Sequence, residues 1–385
     1  MAYKLRVLHI ASGDLWAGAE VQALTLISHL ARLADTEVSA VILNDGVLAA
    51  ELRTLGISVH VVNEADLGTL KIFARLRNIL LQVRPNVIHT HRRKENIIGS
   101  IANYTSTHVA CVRTVHGSDE QMNADRKLGG RQMGIRFIDG WCGKLFQEKI
   151  IAVSQQLGLE LIERFPDKKV AVIENGIDAM EIRARRRQAD FKVAEPHANH
   201  IGIVGRLVRV KRVDLFIQMA AKLSAHLPGR PLRFHVFGEG PERRELEMLA
   251  ATLGIESAMS FHGQRNDIPS CLGGLDALVM CSDHEGMPMV ALEAMSIGTP
   301  IVAHAVGGLL DLVPKRYLVE RHDAEGYVEA TLRVLSLDPS DIAAASRHNE
   351  RVLKKFSAQS NAMAVRKLYE QAVLERNGAA KQLLE

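Results

Sequence analysis

Short apolar runs alternate along this chain with segments whose apolar residues recur every three or four positions. That alternation is what strands and helices leave in sequence when they take turns building a parallel α/β sheet. Leu5–Ala11 reads as a first strand and Gly13–Gly18 as a loop, and the next segment carries Val21, Leu24, Ile27 and Leu30 at helical spacing. Val38–Leu43, Val59–Val62, Val87–Thr90, Val109–Val115, Ile150–Val153 and Val170–Ile173 read as later strands, with a turn at Asn175-Gly176. A second series runs through Ile201–Val204, Phe234–Phe237, Met259–Phe261, Leu275–Met280 and Pro300–Ala303. The last segment, Ala358–Leu374, is helical, with Met363, Val365, Leu368, Tyr369 and Val373 on its apolar side.

At 385 residues the chain is too long for one ordinary α/β core. The charged run Glu181–Arg187 and the aperiodic stretch Val193–His200, with Pro196 inside it, interrupt the pattern. They are the expected linker. The layout is therefore a first domain over residues 1–180, a linker over 181–199, a second domain over 200–357 and a terminal helix over 358–385. Two such domains of similar size usually hold their ligand in the cleft between them.

Composition mainly excludes. With 47% hydrophobic and 24% charged residues the chain is globular, and with 4% aromatics and a formal charge of +4 no nucleic-acid partner is indicated. Residues 1–190 hold 25 Lys+Arg against 21 Asp+Glu, which leaves 23 against 23 for the rest. That excess in the first half is either ordinary surface charge or the mark of an acidic acceptor or anionic membrane. Cys111, Cys142, Cys271 and Cys281 have no metal-type spacing and read as reduced core thiols. No signal-peptide cleavage pattern follows Met1, and no apolar segment approaches the ~18 residues a bilayer span needs. The expected location is cytoplasmic, at most attached to the membrane from the cytosolic side.

The segment that carries most chemistry is Glu285-Gly-Met-Pro-Met-Val-Ala-Leu-Glu293. Glu285 falls on the loop at a strand's carboxyl end, where open α/β sheets bind ligands, and Pro288 suits the first turn of a helix. Glu293 then lies about 7.5 Å beyond Pro288 along that helix. The free N–H groups near Met289 and Val290 form an anion site between the two carboxylates. Hydroxyls at each end and phosphate in the middle describe a nucleotide sugar.

In Gly202-Ile-Val-Gly-Arg206-Leu-Val-Arg-Val-Lys211, a strand delivers Arg206 at its carboxyl end and Lys211 near a helix start. Two such cations balance a diphosphate without a metal. Gly238, in Phe237-Gly-Glu-Gly-Pro241, either shapes a tight turn or offers backbone to a nucleoside. Gln264, after Phe261-His-Gly263, is a candidate edge of the base pocket. In the first half, Gly18 either lets backbone approach a phosphate or sugar or simply gives a flexible connection. His116, in Thr114-Val-His116-Gly117, stands at a strand's carboxyl end, placed to meet a sugar hydroxyl or leaving group or to serve the fold alone. His89 and His91 are read as alternating to opposite faces of their strand, unable to hold a metal together. No Asp-x-Asp pair and no P-loop occurs, so no metal or other cofactor is expected. Gly130–Phe146 mixes Arg131, Arg136 and Lys144 with Ile135, Phe137, Ile138, Trp141, Leu145 and Phe146. It is either a basic amphipathic membrane anchor or, the favoured reading, a helix packed on the first domain.

Taken together these residues resemble family 4 of the retaining glycosyltransferases, enzymes of the GT-B fold, along nearly the whole chain. Glu285 and Glu293 resemble its Glu-x7-Glu pair, and Gly205-Arg206-Leu207 with Lys211 its Gly-Arg-Leu…Lys element. Ala17-Gly18-Ala19-Glu20 is similar to its first-loop Gly-Gly-x-Glu, with Ala17 replacing the first Gly. Val87–His91, Thr114–Gly117, Ile151–Ser154 and Glu174–Asp178 match further family segments. The resemblance implies two Rossmann-like domains facing a central cleft, with the terminal helix returning to the first. It implies that Glu293 binds the ribose and Glu285 the donor sugar, with Gly286 beside it. Arg206 and Lys211 hold the diphosphate, helped by the N–H groups of Met289 and Val290 and by the loop at Gly18, and His116 reaches the sugar. Val306-Gly-Gly-Leu-Leu-Asp311 departs from the family, with Leu310 where Pro is usual, and is left out of the site.

The expected reaction moves a sugar from a nucleotide diphosphate, most commonly UDP, to an acceptor hydroxyl with retention, without metal. The acceptor is a saccharide or lipid-linked molecule, in bacterial lipopolysaccharide, exopolysaccharide or glycolipid synthesis. The competing readings are a nucleotide-sugar 2-epimerase of the same architecture and a non-catalytic sugar-binding protein.

Overall fold

The structure is a computed structural model that describes residues 4–13, 16–117, 130–188, 191 and 195–382. The chain forms two compact units, Met1–Gly176 with Ala358–Glu385, and Ile177–Ser357.

The first unit is built on seven parallel strands: β1 (Leu5–Ala11), β2 (Thr36–Ile42), β3 (Ser58–Val61), β4 (Val87–Thr90), β5 (Ala110–Val115), β6 (Lys149–Ala152) and β7 (Val170–Val172). Their order across the sheet is β3-β2-β1-β4-β5-β6-β7. Both faces are covered, so the strands read as near-continuous apolar runs rather than alternating ones. Leu5, Val7 and Ala11 pack with Leu24 and Ile27 of the helix Gly18–Ala31 and with Val365 and Leu368 of the last helix, Ala358–Gln382. Leu8 and Ile10 point the other way, onto Ile72, Leu76 and Leu80. The last helix thus completes one face of the first sheet, and it extends beyond residue 374, where its apolar pattern fades.

The second unit carries six parallel strands: β8 (Asn199–Val204), β9 (Leu232–Phe237), β10 (Met259–Gly263), β11 (Ala277–Met280), β12 (Ile301–His304) and β13 (Leu318–Val319). Their order is β10-β9-β8-β11-β12-β13. In both sheets the chain reverses its direction of winding beside the first strand, between β1 and β4 and between β8 and β11. Ligands of open α/β sheets bind beyond the carboxyl ends of strands at such a point.

Two expectations need correction. Residues 181–188, expected to begin a linker, lie within the second unit. The helix Ala179–Gln188 lies inside the second unit, with Ile182 buried, Arg183 Nε donating to the Ser296 carbonyl at 2.8 Å and Arg185 paired with Glu181 at 2.8 Å. A charged run that satisfies itself at i,i+4 spacing is compatible with a packed helix. The second concerns the helix Gly130–Phe146. Its inward face is taken by Asp139, which accepts from Arg113 at 3.0 Å and Asn96 at 2.8 Å, while Phe137 is 71% and Trp141 57% exposed. Among the described residues, most of its large apolar side chains are therefore exposed rather than packed on the first unit.

Candidate active site

Backbone approach fixes the second unit's site. The loop after β8 passes so close to the loop after β9 that a Cβ on Gly238 would overlap the Gly205 carbonyl oxygen. Both glycines hold positive φ, +158° and +142°. Gly205 N–H donates to the Phe237 carbonyl at 2.9 Å and Leu207 N–H to Glu239 at 2.9 Å. Of the two readings of Gly238, the structural one has this contact behind it. Gln264 is exposed in a bend after β10, the edge strand.

Lys211 ends a short 3-10 turn, Arg209–Lys211, and reaches across the sheet's reversal to the loop after β11. Its Nζ lies 2.6 Å from Glu285 Oε1, which also accepts from Ser282 Oγ at 2.6 Å. Gly205, Leu207, Lys211, Phe237, Cys281 and Ser282 line a small cavity there. Arg206 is exposed on the loop between Gly205 and Leu207. Beneath, Arg212 pairs with Asp214 at 3.0 Å and Asp283 at 3.3 Å, and His322 Nε2 bonds the same Asp283 oxygen at 3.0 Å.

The Glu285-Gly286 loop rests on a glycine pair that sequence reasoning left out. A Cβ on Gly307 would overlap the Glu285 carbonyl oxygen and one on Gly308 the Gly286 carbonyl oxygen, to which Gly308 N–H donates at 2.8 Å. Pro288 caps the helix Met289–Ile297 in extended conformation, leaving the N–H groups of Met289 and Val290 in the first turn. Glu293 is buried on that helix. Burial pushes its carboxyl up to about 7, against the opposing pull of the Arg185 guanidinium.

In the first unit Gly18 is the first residue of its helix, capped by extended Ala17; Asp14 and Leu15 of the preceding loop lie outside the described residues. Glu20 is buried and paired with Arg92. His116 follows β5 and is half-buried. Its Nε2 lies 3.3 Å from His91 Nδ1, and His91 Nε2 lies 2.9 Å from His9 Nδ1. His89 sits with them, its ring centroid 4.5 Å from that of His91. The opposite-face expectation for His89 and His91 is therefore wrong. Residues two apart share a face, and the register pairing His9 with His89 brings all three together. Among the described residues these three are a group able to offer a metal three ring nitrogens. Burial holds His9, His89 and His116 neutral well below the usual imidazole range, and His91 at about 3.

Two Rossmann-like parallel sheets of these strand orders, with the described loops at their reversal points, define the GT-B fold. The chain belongs to glycosyltransferase family 4: residues 16–181 match the model Glycosyltransferase Family 4 and residues 198–337 the model Glycosyl transferases group 1. It is 24% identical over 343 residues to the UDP-Gal:alpha-D-GlcNAc-diphosphoundecaprenol alpha-1,3-galactosyltransferase of Escherichia coli, spanning 87% of this chain and 86% of that one. It is 29% identical to a D-inositol 3-phosphate glycosyltransferase of Salinispora tropica over 75% of this chain and 64% of the relative. The fold matches Anabaena Alr3699/HepE in complex with UDP-glucose, with a TM-score of 0.79 at 19% identity over 95% of this chain and 100% of the other.

Proposed function

We propose that the protein transfers a hexose from a UDP-sugar to a lipid-linked or saccharide acceptor, retaining the anomeric configuration and using no metal. The observation that carries the reading is Glu285 held by Lys211 and Ser282 at the reversal point of the second sheet. A carboxylate already accepting two hydrogen bonds at 2.6 Å is fixed to receive sugar hydroxyls rather than poised as a nucleophile. Lys211, Arg206 and the N–H groups of Met289 and Val290 balance the charge that develops on the departing diphosphate. Glu293 takes the ribose hydroxyls, Gly18 and Gly286 bring backbone to the donor, and His116 binds a sugar hydroxyl. Gly238 shapes the donor loop, and Gln264 edges the base. Retention then follows from front-face return, the leaving phosphate accepting the acceptor's proton. UDP is supported by the E. coli relative and the UDP-glucose complex, and a lipid-linked acceptor by the diphosphoundecaprenol in that relative's name.

The exposed apolar side chains of the helix Gly130–Phe146, interleaved with Arg136 and Lys144, support peripheral contact with an anionic membrane. Four buried free thiols support a reducing, cytoplasmic setting, and no described helix is long and apolar enough to cross a membrane. The test is thermal unfolding with UDP, GDP and ADP, then product analysis with the stabilising nucleotide's sugars. UDP is expected to stabilise most, by about 2.7 kcal/mol at a hundred times its dissociation constant. Acceptor-dependent release of UDP with a retained anomer supports the reading. An isomerised nucleotide sugar without acceptor, an inverted product or a trapped glycosyl-Glu285 overturns it.

A further inference from the structure

The histidines at the reversal point of the first sheet form one continuous hydrogen-bonded series, and its last link fixes its direction. His116, His91, His9 and His89 all project from the same face of that sheet, beneath the last helix, which contributes the fully buried Tyr369. The Tyr369 hydroxyl lies 2.6 Å from His89 Nδ1 and 3.5 Å from His9 Nε2, and His89 Nε2 lies 2.7 Å from Thr114 Oγ1. Of the two contacts the hydroxyl makes, the 2.6 Å one to His89 is a full hydrogen bond and the 3.5 Å one to His9 is at the limit of one, so the O–H is placed along the former. Tyr369 therefore spends its single proton on His89 Nδ1. His89, being neutral, carries its own proton on Nε2 and donates to Thr114.

The remaining links follow one by one. With its proton committed, Tyr369 turns a lone pair toward His9 Nε2, and a bare nitrogen there would face it lone pair to lone pair. His9 is therefore protonated on Nε2, which leaves Nδ1 an acceptor. The 2.9 Å contact then requires the proton on His91 Nε2, leaving His91 Nδ1 an acceptor for His116 Nε2–H at 3.3 Å. A neutral imidazole has one N–H and one acceptor nitrogen. Each ring thus hands the same choice to the next.

We propose that Tyr369, His9 and His91 act as a tautomer-setting relay that holds His116 protonated on Nε2, so that its Nδ1 is an acceptor for a ligand hydroxyl. The three are positioning residues, and a ligand group that only accepts hydrogen bonds, such as a carbonyl or phosphate oxygen, is not received at Nδ1. This rests on the reading that His116 binds a sugar hydroxyl, and it assigns the sense of that bond: the sugar O–H donates. Both ring nitrogens of His9, His89 and His91 already have hydrogen-bond partners, so these three need no ion to satisfy them. All three positioning groups are held in the uncharged form by burial, so the series is one of tautomers rather than of charges.

The test is long-range 1H–15N correlation NMR of the histidines in the full chain, with kinetics of Tyr369→Phe. The expected wild-type spectrum shows His116 protonated on Nε2. In Tyr369→Phe the His116 tautomers mix, and kcat falls about tenfold, the scale of one net hydrogen bond, with affinity for the nucleotide alone unchanged. Wild-type His116 protonated on Nδ1 overturns the proposal, even if the variant does not fold. So does an unchanged tautomer in the variant, or stoichiometric Zn2+ uptake abolished by His89→Ala, which would make the cluster a metal centre. If the tautomer is as assigned but His116→Ala transfers sugar normally, the relay stands and the role given to His116 fails.

Discussion

Gly307 lies directly against the backbone of Glu285: a side chain at 307 would overlap the Glu285 carbonyl oxygen, and the residue holds φ at +51°. The carboxylate that meets Lys211 and Ser282 is thus aimed by a glycine more than twenty positions away in sequence. Gly307→Ala must push the Glu285 loop aside as well as strain its own backbone. A stability loss of about 1–3 kcal/mol and a drop in kcat/KM of at least tenfold are expected. Gly298→Ala is the control. Gly298 also has positive φ, +91°, closing the helix Met289–Ile297, but a Cβ there meets nothing within 4 Å. It should cost about 1 kcal/mol with activity intact. Equal activity losses in the two variants would mean that strain, not the Glu285 contact, is responsible.

Lys211 makes a second, chemical prediction. Its ammonium is bonded to Glu285 and lines the cavity beside Gly205. If it serves the diphosphate, Lys211→Ala should lower affinity for the nucleoside diphosphate while leaving the nucleoside alone almost unaffected. In turnover it should cost about a hundredfold to a thousandfold in kcat, the usual scale for one donor to developing charge. Isothermal titration with the two ligands separates the cases. An equal loss for nucleoside and diphosphate would instead make Lys211 a support for the loop.

Much of the fold is legible in the sequence. Strands buried on both faces leave compact apolar runs, so the runs Leu5–Ala11 and Val87–Thr90 coincide with β1 and β4 to the residue. The two-residue β13 leaves no run to find. Lys211, Glu285 and Glu293 carried recognisable spacing, but Ser282 and Gly307 act through a loop contact that depends on how β11 and β12 lie side by side. The charge of Arg183–Arg187 hid a packed helix because its cations find partners on that helix and on the neighbouring Ser296 carbonyl. Of the histidine series, sequence alone shows only His89 and His91, which share a face because they are two apart on one extended segment. Its remaining members come from β1, β5 and the last helix, and only tertiary register joins them.

Glu293 gives a pH signature. Its carboxyl, pushed up to about 7 by burial, holds a proton in the folded chain that the unfolded chain has already released above the ordinary carboxylate range. Stability from this group is therefore complete at low pH and declines as pH rises from about 4.5 to 7, by on the order of 3 kcal/mol in all. Glu293→Gln should be more stable than wild type at pH 8 and nearly equal to it at pH 4, as urea unfolding at the two pH values would show. Ribose hydroxyls favour the ionised form, so nucleotide binding near pH 6 should release up to one proton. Calorimetry in buffers of different ionisation enthalpy reads that release. If the Gln variant releases the same proton, it comes from elsewhere and Glu293 is not the ribose ligand.

The helix Gly130–Phe146 supplies the prediction for the membrane. Met133, Phe137 and Trp141 stand one turn apart and are 63%, 71% and 57% exposed, with Lys144 exposed a turn further on. Among the described residues Asp139 and Cys142 are the buried side chains of this helix, and the large apolar ones face away from them. Transfer of such side chains from water stabilises by about 1.5–3 kcal/mol each when complete, and a cation near an anionic surface adds about 1 kcal/mol. The chain should then sediment with phosphatidylglycerol vesicles, much less with phosphatidylcholine ones, and weaken as salt shortens the screening length. Phe137→Glu with Trp141→Glu should abolish that binding while sugar transfer to a short water-soluble acceptor continues, because neither side chain belongs to the donor loops. Vesicle binding that survives the double variant would move the contact to another face of the first unit.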